Sequence, residues 1–157
     1  MSELLSTYRG PVVPEWVDYN GHLRDAFYLL IFSYASDALM DQLGLDGAQR
    51  EASGCSLFTL ECHLNYLQEV KAGVTVEVRT RILGHDKKRL HIYHSLHLPG
   101  AEPTLAANEQ MLLHVELAGP RAIPFSEVML AHIQRLAQSH QNLPIPKYVG
   151  RVIGLPS

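Results

Sequence analysis

The chain predicts an α+β fold: one curled antiparallel sheet wrapped around a central helix. Two observations carry this. A single helical stretch is apolar all round over residues 26–32, which is the signature of a buried helix. Around it in the sequence stand several segments in which apolar and polar residues alternate, the signature of strands with one face covered. A chain of 157 residues is one ordinary domain, expected to span residues 1–157, and can bury a core without staples.

Each element follows in order. Residues 6–14 (STYRGPVVP) predict a short strand, with Pro11 and Pro14 placing it near an edge. Residues 15–22 (EWVDYNGH) predict a polar turn. Residues 23–43 predict the central helix, with Asp25 in its first turn and Gly44 as its stop. In residues 56–67, Phe58, Leu60, Cys62, Leu64 and Tyr66 share one expected face, and Thr59, Glu61, His63 and Asn65 the other. Strands are expected at 73–83 (Val74, Val76, Val78, Thr80 and Ile82 in phase), 89–98 (Leu90, Ile92, His94, Leu96, Leu98) and 104–117 (Leu105, Ala107, Met111, Leu113, Val115, Leu117). Short turns between them predict an antiparallel meander of four successive strands. Residues 125–139 predict a second, amphipathic helix. The Pro-containing tail from about 140 is expected to lie extended over a surface.

Composition excludes several classes. Hydrophobic residues make up 46% and charged residues 18%, so the chain is globular rather than disordered. A formal net charge of −3 offers no basic field for nucleic acid. No apolar run approaches the length of a membrane span, and MSELLSTYRG has no leader pattern. Cys55 and Cys62 are an odd number of residues apart, which on one strand predicts opposite faces and no disulfide. Together these predict a soluble cytoplasmic protein. No Walker, G-x-G-x-x-G, G-x-S-x-G or H-E-x-x-H pattern is present. His91, His94 and His97 alternate sides of their strand, so no metal site is expected.

Chemistry concentrates in PEWVDYNGHLRDAFY, residues 14–28, where Asp18, Asn20 and His22 crowd the entrance to the greasy helix. A carboxylate beside helix-start amides can attack a carbonyl carbon or activate a water, while the amides hold the oxyanion. A thioester suits this pairing, because its thiolate leaves without a strong general acid. On pattern alone, Asp18 and Asn20 shaping a turn or capping a helix is an open alternative.

The stretch VDYNGHLRDAFYLLIFSYASDALMDQLGL resembles the opening of the 4-hydroxybenzoyl-CoA thioesterase-like hotdog family: an Asp, an Asn or Gly, a His, then a Tyr-containing greasy helix. LNYLQEVKAGVTVEV, GHDKKRLHIYHSL, LAANEQMLLHVEL and RAIPFSEVMLAHI resemble its later strands and closing helix, so the likeness spans roughly residues 8–137. The chain departs from the pattern at Gly73-Val74, where the family's turn often carries Gly-Asp. PEWVDYNGHLRDAFY and KRLHIYHSLH resemble the subgroup of betainyl-CoA thioesterases of carnitine breakdown.

The resemblance implies a hotdog fold and hydrolysis of a small acyl-CoA. Asp18 would be the catalytic carboxylate, with Asn20 and His22 beside it and the amides of Gly21, His22 and Leu23 as oxyanion donors. No cofactor is implied beyond the coenzyme A of the substrate. Aromatic faces hold trimethylammonium groups, and Trp16, Tyr19, Tyr28, Phe32 and Tyr66 are candidates for such a cage; core packing is the alternative for each. Glu61 is a further candidate for the pocket. Lys87, Lys88 and Arg89 could meet the phosphates of coenzyme A, or form a solvated turn. A hotdog sheet leaves an edge open, so a homodimer or homotetramer with the site between subunits is expected. An enoyl-CoA hydratase of the same fold would carry D-x-N-P-x-H, one residue longer than D-Y-N-G-H here. A non-catalytic acyl-CoA-binding module would show neither thiol release nor hydration.

Overall fold

A computed structural model describes residues 4–157. Residues 1–3, at the head of the segment read as lacking a leader, lie outside it. The elements are β1 (Leu5–Pro11), α1 (Asp25–Gln42), α2 (Gly47–Ser53), β2 (Cys55–Tyr66), β3 (Thr75–His85), β4 (Arg89–His97), β5 (Ala106–Glu116), β6 (Arg121–Ala122) and α3 (Glu127–His140). A single 3₁₀ turn covers Pro14–Trp16. No helix among the described residues is long and apolar enough to cross a membrane. Two short elements carry weak sequence signals: α2, capped by Asp46 accepting from the Gln49 amide, and the two-residue β6.

The sheet runs β1-β3-β4-β5-β2, antiparallel throughout, with β6 on β5. This corrects the expected four-strand meander. Only β3, β4 and β5 are neighbours in chain order; β2 crosses over to pair with β5 and becomes an edge.

Helix α1 lies against the concave side. Its buried residues Tyr28, Ile31, Phe32, Ala35, Leu39 and Met40 recur at helical spacing, each large one worth ~1.5–3 kcal/mol of burial. The helix is not wrapped on all sides, however. Leu29 and Tyr34 are about two-fifths exposed, because one curled sheet covers only one flank. The left-handed Gly44 (φ +81°) ends the helical segment, as expected. Helix α3, capped by Ser126 accepting from the Met129 amide, closes the far end of the core through Met129 and Ile133.

Two facing patterns differ from the alternation read in the sequence. In β2 the pairing slips between Thr59 and Glu61, so Leu60 is an extra residue. A bulge reverses every side chain beyond it. Leu57, Thr59 and Cys62 therefore share a wall on the helix side, and Phe58 does not share the face of Cys62. In β5 the side chains toward the helix are Ala106, Asn108, Gln110 and Leu112; of the set expected there, Ala107 and Val115 are buried on the other face, and Met111 and Leu113 are only half-buried.

The reason for the β5 inversion is a polar chain through the core. Thr7 Oγ1 lies 2.7 Å from Thr80 Oγ1, which lies 2.7 Å from His94 Nδ1. His94 Nε2 is 2.9 Å from Ser36 Oγ, and Ser36 donates to Gln110 Oε1 at 3.4 Å. Gln110 then donates to Asn108, and Asn108 to the His63 carbonyl on β2. Buried polar groups are tolerated when each is partnered. His94 is fully buried, stacked on Phe32, and its pKa is pushed down to about 3, so it is neutral.

Candidate active site

The 18–22 turn is built by Asp18. Its Oδ1 accepts the Asn20 amide at 2.8 Å and the His22 amide at 3.2 Å, while its backbone carbonyl accepts Gly21 N–H at 2.9 Å. Gly21 at φ +78° makes that reversal possible. The His22–Lys71 bridge and the Leu23 N–H to Val70 carbonyl bond pin the turn to the segment before β3. The turn-shaping role open at the sequence level is therefore realised, but it uses one carboxylate oxygen. Oδ2 has no hydrogen-bond partner among the described residues. The His22 amide holds the Asp18 carboxyl below the usual carboxylate range.

Asp18, Asn20, His22 and Leu23 line an open cleft of about 320 Å³ together with Asp25, Tyr28, Tyr66 and the 67–69 segment. Tyr28 and Tyr66 meet edge to face, with centroids 5.1 Å apart at 83°. Their hydroxyls are tied off: Tyr28 donates to the Gln68 carbonyl and Tyr66 to the Asp25 carbonyl. His22 Nε2 lies 3.3 Å from Glu69. The lining holds three carboxylates, from Asp18, Asp25 and Glu69, and no Lys or Arg.

The remaining candidates separate from this cleft. Trp16 stacks on Phe27 and packs against the core. Tyr19 is 93% exposed. Phe32 is fully buried against His94 and does not line the Asp18 cleft. Glu61 lines a different cavity, with His63, His91 and Arg151, because the bulge turns it away from the helix side. Lys87, Lys88 and Arg89 sit in the β3–β4 turn, where Arg89 pairs with Asp86 at 2.6 Å. The cleft lies beside the start of β3, and the 11 residues of that strand separate it from this turn by roughly 35 Å. Within one chain the basic turn is thus not beside Asp18.

The expected oxyanion donors are also displaced. The Gly21, His22 and Leu23 amides are all spent inside the fold, on Asp18 O, Asp18 Oδ1 and Val70 O. The helix actually opens at Asp25. There the Ala26 amide is capped by the Asp25 side chain and the Phe27 amide by the Arg24 carbonyl, which leaves the Asp25 N–H unengaged among the described residues. Sequence alone does not single out Asp25 or Glu69 for the cleft. The signal for Glu69 is its place three residues after Tyr66 in YLQE, and that for Asp25 is a helix-start charge.

Residues 12–133 match the thioesterase-like superfamily. The chain belongs to that superfamily. It is 67% identical over 99% of its length to a betainyl-CoA thioesterase of Pseudomonas aeruginosa, of which it covers 98%. It is 36% identical over 88% of its length to an L-carnitine dehydrogenase/betainyl-CoA thioesterase of Rhizobium meliloti, covering 28% of that longer protein. Among solved structures it resembles one from Pseudomonas putida KT2440 described as a thioesterase (54% identity, 98% of both chains, TM-score 0.85). It also resembles a Staphylococcus aureus protein solved with CoA (28% identity, 98% of both chains, TM-score 0.90). As a superfamily member with these relatives the protein is an acyl-CoA thioesterase, and its curled sheet with α1 on the concave side is the hotdog layout.

Proposed function

We propose that the protein hydrolyses betainyl-CoA to betaine and free coenzyme A, with Asp18 as the catalytic carboxylate. The observation that carries this is the composition of the cleft: a carboxylate oxygen free to react, two tyrosine rings, two further carboxylates and no cationic side chain. In a betainyl thioester the quaternary nitrogen is two bonds from the carbonyl carbon, about 2.5 Å away. The cation must therefore sit in the same cleft as Asp18. Tyrosine faces attract such a group over ~6 Å, with ~0.5–2 kcal/mol each, and Asp25 and Glu69 add a favourable field. The likeness to the 67% identical betainyl-CoA thioesterase points the same way.

In the reaction Asp18 Oδ2 either attacks the thioester carbon, giving a mixed anhydride that water then opens to betaine and the free carboxylate, or takes a proton from a water that attacks the same carbon. The Asp25 N–H at the start of α1 is the donor left for the oxygen that gains charge. Coenzyme A leaves as its thiolate, and no cofactor takes part beyond the coenzyme A of the substrate. His22, 3.3 Å from Glu69, holds that carboxylate toward the cleft.

The functional unit is a homodimer. Strand β2 is a 12-residue edge bearing exposed Phe58, Leu60 and Tyr66, and an open edge of that length is blunted by pairing with a second copy. Such pairing also sets the cleft, which Tyr66 lines, next to the neighbouring chain. The free thiols of Cys55 and Cys62 suit a reducing, cytoplasmic setting.

The test is thiol release from a panel of acyl-CoA esters that includes betainyl-CoA and its uncharged isostere 3,3-dimethylbutyryl-CoA. The proposal expects betainyl-CoA to be preferred by roughly tenfold or more in kcat/KM, with release abolished in Asp18→Asn. Equal rates for the two esters would defeat the substrate assignment. An Asp18→Asn variant with full activity would defeat the mechanism.

A further inference from the structure

The tail after α3 takes a definite course over the outer face of the sheet. His140 is fully buried, and its Nδ1 accepts the Ile82 amide at 3.1 Å. The Arg81 guanidinium, on β3, donates to the carbonyls of Leu143 and Pro144 at 2.8 and 2.5 Å. Glu109, on β5, then accepts the Gly150 amide at 2.7 Å through Oε1, while its Oε2 lies 2.6 Å from His91 Nε2. The tail thus runs from β3 across to β5, and the next strand in that direction is the open edge β2.

Arg151 follows directly and lines a cavity of about 410 Å³ with Glu61, His63, His91 and Glu109. Neither ring nitrogen of His63 has a hydrogen-bond partner among the described residues, although both are buried. Beyond Arg151 the sequence turns apolar. Val152, Ile153 and Leu155 are 88%, 89% and 97% exposed. The latched tail runs toward an unpaired strand edge with three bare aliphatic side chains that nothing among the described residues covers.

We infer that residues 151–155 form an arm that crosses the β2 edge and packs on the outer face of a second copy of this chain. The inference rests on the edge-to-edge dimer proposed above. Reach permits it: five extended residues span up to ~17 Å, more than three strand spacings of ~4.8 Å, so an arm leaving beside β2 passes the neighbour's β2 and meets its β5. The arrangement is reciprocal, as a two-fold interface requires. Each copy's arm covers the other's seam, and the cavity holding Arg151, the two glutamates and His63 lies where each arm departs.

The full-length chain carrying a benzoylphenylalanine photocrosslinker in place of Ile153 tests this. Irradiation is expected to give a band at twice the 17.6 kDa chain mass, with the linked peptide mapping to β2 or β5. In parallel, the double variant Val152→Asp/Ile153→Asp is expected to raise the dimer Kd by roughly tenfold or more in sedimentation equilibrium, with unchanged helix and strand content. A dimer that crosslinks only within single chains, or a double variant of unchanged Kd, overturns the arm and leaves the edge pairing standing. A wild-type chain that sediments as a monomer overturns both.

Discussion

At the scale of single residues, the proposed role gives Asp18 two tasks, one for each oxygen. Oδ1 organises the turn through the Asn20 and His22 amides, and Oδ2 is the oxygen assigned to catalysis in the proposal. Asn at this position can still accept both amides. Asp18→Asn should therefore keep its melting temperature while losing roughly 10²–10⁴-fold in kcat, measured by thiol release beside a thermal scan. Because the His22 amide holds the carboxyl below its ordinary value of 3.8, Asp18 stays ionised down through that value. The kcat/KM profile should show no acid limb from this residue above about pH 4; a limb centred near 6 would point to another group. Tyr66 offers a second check. Tyr66→Leu removes a ring from the cleft wall and should lower kcat/KM for betainyl-CoA by roughly 3–30-fold while sparing the uncharged isostere. Asp18, Asn20, His22 and Tyr28 were legible because they sit in one motif with local spacing, and Tyr66 as an aromatic on a strand of clear alternation. Asp25 and Glu69 were not, since their place in the cleft depends on the loop after β2 folding back beside the start of α1.

At the scale of elements, strand and helix limits were readable to within a few residues from alternation, glycines and caps. What sequence could not supply was the phase of two strands. A bulge at Leu60 is one residue without a marker, and it turns Glu61 and His63 to the outer face and Cys62 toward α1. In β5 the apolar set was assigned to the core, yet Asn108 and Gln110 point inward because His94 and Ser36 stand opposite them. Hydrophobicity alone cannot anticipate a polar residue whose partner lies on another element. His94 joins β3 to α1 through Thr80 and Ser36, so His94→Leu would remove one partner from each hydroxyl and leave the buried Thr80 with Thr7 alone and the half-buried Ser36 with Gln110 alone. We expect it to cost ~2–4 kcal/mol in urea unfolding, with Asn or Gln restoring part of the loss. The strand order was missed for a related reason: pairing β2 with β5 rather than β3 is a long-range choice that no local turn announces.

At the scale of the whole molecule, the same histidine gives stability a pH dependence. In the folded protein His94 is neutral, with its pKa down at about 3 by burial, against 6.5 ordinarily. Between those values the unfolded chain binds a proton that the native state does not. Stability should therefore fall as pH drops below 6.5, by up to ~1.4 kcal/mol per pH unit from this group, and His94→Gln should flatten that slope in urea titrations across pH 4–7. The charge of the cleft has an effect on turnover as well. On the proposed substrate, hydrolysis would convert a cationic acyl group into a zwitterion whose new carboxylate would appear among Asp18, Asp25 and Glu69. The same wall that would draw such an ester in would drive the acid out, so betaine should be a feeble competitive inhibitor, and the enzyme should keep running when its own product accumulates.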